Sequence, residues 1–176
     1  MPTEYHEALT CLRNGGVLLF STETGWCLGT DARSAEAVAR LDALLPPTAP
    51  DAHTLLVAEV GQLSQYIAQV PDVAWDWVEF SEKPLTIVYP RGKNVAPAAL
   101  TADGHLAVRL LRDDFARNLV YRFGRGVLST PVPPEAVAGL KTAADVVLPP
   151  SPQPRFQPPG PLARLGVDGA VEFLRK

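Results

Sequence analysis

This 176-residue sequence is poor in the residues that form metal and redox sites. It contains two cysteines, Cys11 and Cys27, and three histidines, His6, His53 and His105. The cysteines have no CxxC spacing and no neighbouring histidine cluster, so no metal site is indicated and buried free thiols are the simplest interpretation. The histidines are scattered singly, which favours structural or surface positions, and nothing in their spacing suggests a Ser/His/Asp set.

The sequence also lacks a long apolar run and an excess of positive charge. No apolar stretch approaches the roughly 20 residues that a membrane-spanning helix needs. A net charge of −3 argues against a general polyanion-binding protein, although it is compatible with a local basic face. The N-terminal residues 1–7 are polar and acidic, unlike a signal peptide, which predicts a cytoplasmic location.

Proline is abundant instead, and most of the 18 prolines fall in three short stretches, at 46–50, 131–134 and 149–161. Proline has no backbone N–H and no polar side chain, so such stretches are poor material for an anion-binding or catalytic loop. The function of the chain therefore depends on which binding or catalytic residues these prolines replace.

Between the prolines, short apolar runs alternate with helical patterns. Thr3 and Ser34 are placed to begin helices, and Asp113 begins a helix that Gly124 ends. The predicted strands lie at 17–20, 26–29, 53–58, 85–89, 106–111, 127–130, 146–148 and 170–174, and 149–161 is predicted to be an extended loop. We therefore expect an α/β (α+β) architecture with a mixed sheet, in a single domain over residues 1–176.

Four segments, in this order, resemble the YrdC-like family. Residues 15–29 read GGVLLFSTETGWCLG and are similar to the family's strand and "PTET-x-YGLG" turn, with Ser21 in place of the proline. The other three are KPLTIVY at 83–89, HLAVRL at 105–110 and VLST at 127–130, which are similar to the family's "GPLTLVL", "xxAVRxP" and "PLxSTSAN" segments. The chain is identified as a divergent member of this family.

The resemblance implies an open, twisted, mixed sheet flanked by helices, with a concave basic cavity. Catalytic members of the family combine L-threonine, bicarbonate and ATP into threonylcarbamoyl-adenylate, which serves a tRNA modification. If that activity is retained, ATP and Mg²⁺ are the expected cofactors. The implied partners are a nucleotide or L-threonine and, since family members have been described as binding RNA, tRNA or double-stranded RNA.

The family's ligand-binding motifs are altered at all three proline stretches. The lysine and arginine of its Lys-x-Arg pair fall on Leu45 and Pro47, and a later lysine falls near Asp51. The serine and asparagine of its Ser-x-Asn element fall on Pro131 and Pro133. Its C-terminal serine-threonine falls on residues 159–161, which read Pro-Gly-Pro. These replacements predict that catalysis is impaired and that the chain has no catalytic residues.

Part of the family's site is retained. The residual ligand-binding candidates are Thr22, Thr24, Arg109, Ser129 and Thr130. Each also has a structural explanation: turn chemistry for the first two, and helix capping or a sheet-edge role for the last two. For Arg109 the structural alternative is an ion pair with Glu23 or another carboxylate.

The sequence therefore leaves three hypotheses open. The first is a degenerate homologue that binds a ligand or partner without catalysis. The second is an active enzyme in which other cations supply the missing charge, from the set Arg91, Lys93, Arg109 and Arg155. The third is an RNA-binding module built on the arginine run between Arg109 and Arg125, for which a solvated surface is the alternative.

Overall fold

The computed structural model describes residues 3–45, 53–149, 158 and 160–175. The helices in this part of the chain are α1 (Thr3–Arg13), α2 (Ala35–Leu44), α3 (Leu63–Tyr66), α4 (Asp72–Phe80), α5 (Asp114–Phe123) and α6 (Pro134–Ala143). The strands are β1 (Leu18–Thr22), β2 (Gly25–Asp31), β3 (Thr54–Val57), β4 (Thr86–Tyr89), β5 (Leu106–Leu110), β6 (Val127–Pro131), β7 (Val146–Val147), β8 (Leu162–Leu165) and β9 (Val171–Arg175). No helix among these residues is long and apolar enough to cross a membrane.

All nine strands form one sheet, in the order β7-β1-β2-β6-β3-β5-β4-β8-β9. The pairs β1–β7, β3–β5 and β4–β8 are parallel, and the other neighbours are antiparallel. The mixed, open sheet that the sequence predicts is therefore confirmed.

The helix ends follow the local signals in the sequence. Ser34 Oγ accepts a hydrogen bond of 3.2 Å from the backbone N–H of Ala37, and Asp113 Oδ2 accepts one of 2.8 Å from Ala116. Helix α5 ends at Gly124, whose φ of 84° lies in the left-handed region that glycine adopts without a steric penalty. These caps are where the sequence predicts them.

The C-terminal part of the sheet differs from the prediction. Strand β8 was not expected, because its four residues follow a proline-rich stretch and include an arginine. It forms through a parallel pairing with β4, in which Thr86 lies opposite Leu162. The last strand begins at Val171 and ends at Arg175, one residue later at each end than predicted.

Helices cover both faces of the sheet, but incompletely. On one face, α2, α3, α4 and α6 enclose apolar clusters that include Leu55, Val108 and Leu128. On the opposite face, α1 and α5 pack over Phe20 and Leu56. Among the described residues, no helix contributes to an apolar cluster over the rest of that second face, at β3, β4, β5 and β8, which we call the open part of the sheet.

A buried ion pair joins the β1–β2 hairpin to the centre of the sheet. The hairpin has a two-residue loop, Glu23 and Thr24. Glu23 is 7% exposed, and it accepts a hydrogen bond from Nη1 of Arg109 on β5. It also accepts hydrogen bonds from the backbone N–H groups of Arg112 and Asp113, at 3.3 and 3.2 Å. One carboxylate therefore fixes the hairpin, β5 and the beginning of α5 relative to one another.

Substitution of Glu23 by glutamine is expected to lower the free energy of unfolding by about 3–5 kcal/mol, because Arg109 would keep its charge without a buried partner. Urea unfolding measures this change. The double variant Glu23→Gln/Arg109→Gln should recover part of the loss, and Glu36→Gln on the exposed face of α2 serves as the control. A loss no greater than that of the control would contradict the structural role of the pair.

Both cysteines are buried and free, as the sequence predicts. Burial is the main reason that the pKa of Cys11 rises to about 11 and that of Cys27 to about 12. We expect iodoacetamide at pH 8 to label the native thiols roughly a hundredfold or more slowly than those of the urea-unfolded chain, because the thiolate is the reactive form. Mass spectrometry of each cysteine peptide measures the two rates, and equal rates would contradict the burial.

Candidate functional site

The open part of the sheet forms the floor of a cavity of about 640 Å³. Ser129 on β6, Ala107 and Arg109 on β5, and Thr86 and Val88 on β4 line it. These residues alternate with the apolar side chains that face the helices on the other side of the sheet. The cavity is the concave site that the fold class predicts.

The cavity begins where helices α1 and α5 no longer pack on the sheet. Along β3, Leu56 packs under these helices, whereas Thr54, two residues earlier on the same face, lines the cavity. Along β6, Val127 is covered and Ser129 lines the cavity. The same face of these two strands therefore contributes both to the core under the helices and to the cavity beyond them.

The predicted site residues do not all meet in the cavity. Thr24, Arg109 and Ser129 line it. Thr22 lies behind them, where its Oγ1 accepts a hydrogen bond of 3.2 Å from Arg109 Nη2 and lies 3.1 Å from Thr24 Oγ1. Thr130 is fully buried and follows Ser129 on the strand, so its side chain faces the helix-covered side.

His53 connects α2 to the sheet. Its Nε2 lies 2.8 Å from Asp42 Oδ1 on α2, and its Nδ1 lies 2.6 Å from Thr130 Oγ1 on β6. Because the carboxylate accepts from Nε2, the Thr130 hydroxyl donates to Nδ1 when the ring is neutral. His53 lines the cavity, but these contacts give it the structural role that the sequence predicts.

Among the described residues, three arginines line the cavity: Arg109, Arg164 and Arg175. The charge of Arg109 is balanced by Glu23, and Arg175 Nε donates a hydrogen bond of 2.8 Å to the backbone oxygen of Gly160. Sequence reasoning missed Arg164 and Arg175, because both depend on β8 and β9 folding back beside β4. The segment Leu-Ala-Arg-Leu at 162–165 does not alternate between apolar and polar residues, so it offered no local signal for a strand.

The rest of the lining is largely apolar. It includes Trp26 on β2, Leu100 in the loop before β5, Leu162 on β8 and Leu174 on β9. Lys141 on α6 lies outside it, with Nζ 5.7 Å from the centroid of the Trp26 ring. Among the residues that the structure describes, no aspartate or glutamate lines the cavity, and no cluster of three or more His, Cys, Asp or Glu side chains is placed to hold a metal ion.

Two of the altered stretches reach the site. Pro131 lines the cavity at the end of β6, and Pro133 is the N-terminal cap of α6. Gly160 lines the cavity too, and a Cβ atom at this position would lie 2.0 Å from the backbone oxygen of Pro84. Leu45 is the C-terminal cap of α2, while Pro47, Asp51 and Pro159 lie outside the described residues.

The other cations considered from the sequence lie elsewhere or are engaged. Arg91 and Lys93 do not line the cavity, and Arg155 lies outside the described residues. The remaining arginines of the 109–125 run make local contacts: Arg112 with the carbonyl oxygens of Val78 and Glu79, Arg117 with that of Ala58, Arg122 with the Tyr5 ring, and Arg125 with the Phe123 ring and Asp31.

Comparison with curated proteins identifies relatives of one kind. The chain is 34% identical to the threonylcarbamoyl-AMP synthase of Halorhodospira halophila over 149 residues, which cover 82% of this chain and 76% of that protein. It is 33% identical to the threonylcarbamoyl-AMP synthase of Pseudoalteromonas translucida over 127 residues, which cover 70% of this chain and 67% of that protein.

Solved structures match the fold at lower identity. E. coli YciO superposes with a TM-score of 0.79 at 22% identity, over 98% of this chain and 88% of that chain. Sua5 of P. abyssi, crystallised with L-threonine, superposes with a TM-score of 0.81 at 22% identity, over 97% of this chain and 53% of that chain. These matches confirm the YrdC-like fold.

A family profile covers most of the chain. The profile of the Sua5, YciO and YrdC proteins, described as telomere recombination, matches residues 10–147. This match and the 34% identity to a curated relative agree with the order of the four sequence segments. The chain belongs to the Sua5/YciO/YrdC family.

Proposed function

We propose that this chain is a degenerate homologue of threonylcarbamoyl-AMP synthase, catalytically impaired, that acts in the cytoplasm as a single domain and binds a small ligand in its cavity. The observation that carries the proposal is the replacement of ligand-binding positions by proline and glycine, at Pro131, Pro133 and Gly160, on an otherwise retained scaffold. The YrdC-like fold supports the second part of this argument, that the scaffold is retained.

The charge of the cavity supports impaired catalysis. Adenylate formation from ATP expels pyrophosphate, and catalysis of that type depends on cations placed around the phosphates. Removal of one such group typically costs about 10²–10⁵ in rate. By the sequence resemblance, Leu45 and Pro47 stand where the family has lysine and arginine.

The described lining does not fit a magnesium ion of its own. Mg²⁺ binds through carboxylates and phosphate oxygens, and no aspartate or glutamate of the described residues lines this cavity. Glu23 is committed to Arg109 and to two backbone N–H groups. Any magnesium would therefore have to arrive with a nucleotide.

The backbone at Gly160 argues against a simple reconstruction of the site. The family's serine-threonine segment falls on residues 159–161, but a side chain at 160 would collide with Pro84 O. The backbone N–H of Thr86 donates to the oxygen of Pro161 at 3.0 Å, which holds this segment against β4. A hydroxyl at this position would require the segment to move.

The second candidate is an active enzyme, and the presence of Arg164 and Arg175 in the cavity favours it. These two residues would then supply the positive charge that the altered stretches lack, with ATP and L-threonine as ligands. A family homologue was crystallised with L-threonine, which makes this amino acid a candidate ligand under either proposal. Several arginines of the 109–125 run make local contacts within the protein. Because these side chains are already engaged, there is less support for tRNA or double-stranded RNA as a partner.

We expect no more than a small fraction of ordinary synthase turnover when the chain is supplied with L-threonine, bicarbonate and Mg-ATP, because the cations and hydroxyl donors around the phosphates are missing. Chromatographic detection of threonylcarbamoyl-adenylate and of released pyrophosphate measures the activity. The Halorhodospira halophila synthase assayed in parallel is the positive control. Turnover near that of the control would overturn the proposal in favour of the second candidate.

Restoring the family residues should restore part of the nucleotide binding. The variant Leu45→Lys/Pro47→Arg/Pro131→Ser/Pro133→Asn is expected to bind ATP at least about tenfold more tightly than the natural chain, since each charge-assisted hydrogen bond contributes about 1.5–3 kcal/mol. Titration calorimetry measures this. The matched control, Leu45→Gln/Pro47→Gln/Pro131→Ala/Pro133→Ala, removes the same residues without adding cations. Equal affinities of the two variants would show that these positions do not explain the loss.

A further inference from the structure

Arg164 differs from the other two arginines of the cavity in having no partner among the described residues. It lies in the middle of β8, between the buried residues Ala163 and Leu165, and lines the cavity. Its Nε is buried without a hydrogen-bond partner. None of the ion pairs between described residues includes it.

Two carboxylates lie in the neighbourhood of Arg164, and neither forms an ion pair with it. Glu172 lies directly opposite it in the antiparallel β8–β9 register, so the two side chains share a face, but the Glu172 side chain is exposed and forms no ion pair with Arg164. The pKa of Asp103 is lowered mainly by the hydrogen bond from Thr101, with smaller contributions that include those of His105 and Arg164. Asp103 Oδ1 accepts that hydrogen bond and lies 3.2 Å from His105 Nδ1. Arg164 is therefore available to an anion in the cavity.

The surroundings of Arg164 suit an apolar ligand. Its neighbours across the strand pairing and along the lining include Val88, Leu162 and Leu174. A volume of about 640 Å³ lies in the range of small-molecule sites, which combine apolar walls with a few polar groups that orient the ligand.

We propose that the cavity binds a small apolar carboxylic acid, with its carboxylate on the guanidinium of Arg164 and its apolar body against Val88, Leu162 and Leu174. The inference rests on the proposed function, because it names the ligand class for a cavity that no longer serves ATP. A carboxylate carries one negative charge and pairs with one guanidinium through parallel hydrogen bonds. A triphosphate would need several cations, and the charge of Arg109 is already balanced by Glu23.

The probe for this site is 4-phenylbutyrate, with its neutral amide, 4-phenylbutanamide, as the matched compound. Titrations followed by NMR should show the acid, and not the amide, shifting the backbone N–H signals of Val88 and Leu174. The variant Arg164→Gln is expected to weaken binding of the acid by about tenfold or more, as the loss of a charge-assisted pair does. Arg164→Lys should give an intermediate loss, since it keeps the charge but not the planar pair of donors.

The control variant is Arg33→Gln, an exposed arginine just before α2 that should leave the affinity unchanged. Circular dichroism of each variant checks that it folds. If Arg164→Gln does not fold, the affinity of Arg164→Lys for the acid tests the inference. Equal binding of acid and amide, or an affinity for the acid that Arg164→Gln and Arg164→Lys leave unaltered, would overturn the inference. Inorganic phosphate competing with the acid through Arg164 at equal concentration would also overturn it, because the site would then select charge alone.

Failure of this inference and failure of the proposed function have different signatures. A chain that makes threonylcarbamoyl-adenylate but binds the acid through Arg164 would refute the proposed function alone. A chain without synthase activity whose cavity does not distinguish acid from amide would refute the carboxylate site alone.

Discussion

The buried pair of Glu23 and Arg109 is the interaction on which the site depends. It joins a hairpin loop to the central strand β5, and the same carboxylate accepts two backbone N–H groups at the beginning of α5. Removal of either charge leaves the other unpaired in a buried position, which costs several kcal/mol. The pair therefore positions the cavity wall, and it balances the charge of Arg109.

This charge balance sets what the cavity accepts. With Arg109 neutralised and Arg175 hydrogen-bonded through Nε to Gly160, the described lining offers one arginine without a protein partner, Arg164, among mostly apolar side chains. Such a lining is the basis of our proposal that the ligand carries a single negative charge. The close approach of Gly160 to the backbone of Pro84 adds a steric constraint, because it leaves no space for a side chain at this position.

Much of the fold was predictable because its signals are local. Ser34, Asp113 and Gly124 begin and end helices through contacts with residues at most four positions away. Strand β8 was missed because a four-residue segment after prolines has no strong local preference, and it becomes a strand only when it pairs with β4. Among the predicted site residues, Thr24, Arg109 and Ser129 line the cavity, whereas Thr130 faces the helices because neighbouring side chains of a strand alternate between faces.

The sequence by itself determined the family and the mixed sheet, since these are properties of residue type and order. The tertiary structure alone decided which charges remain in the cavity. Glu23 and Arg109 are 86 positions apart, and Arg164 and Arg175 reach the site through strand pairings at the end of the sheet. Electrostatic balance depends on distances between side chains that are remote in the chain, and folding is what sets those distances.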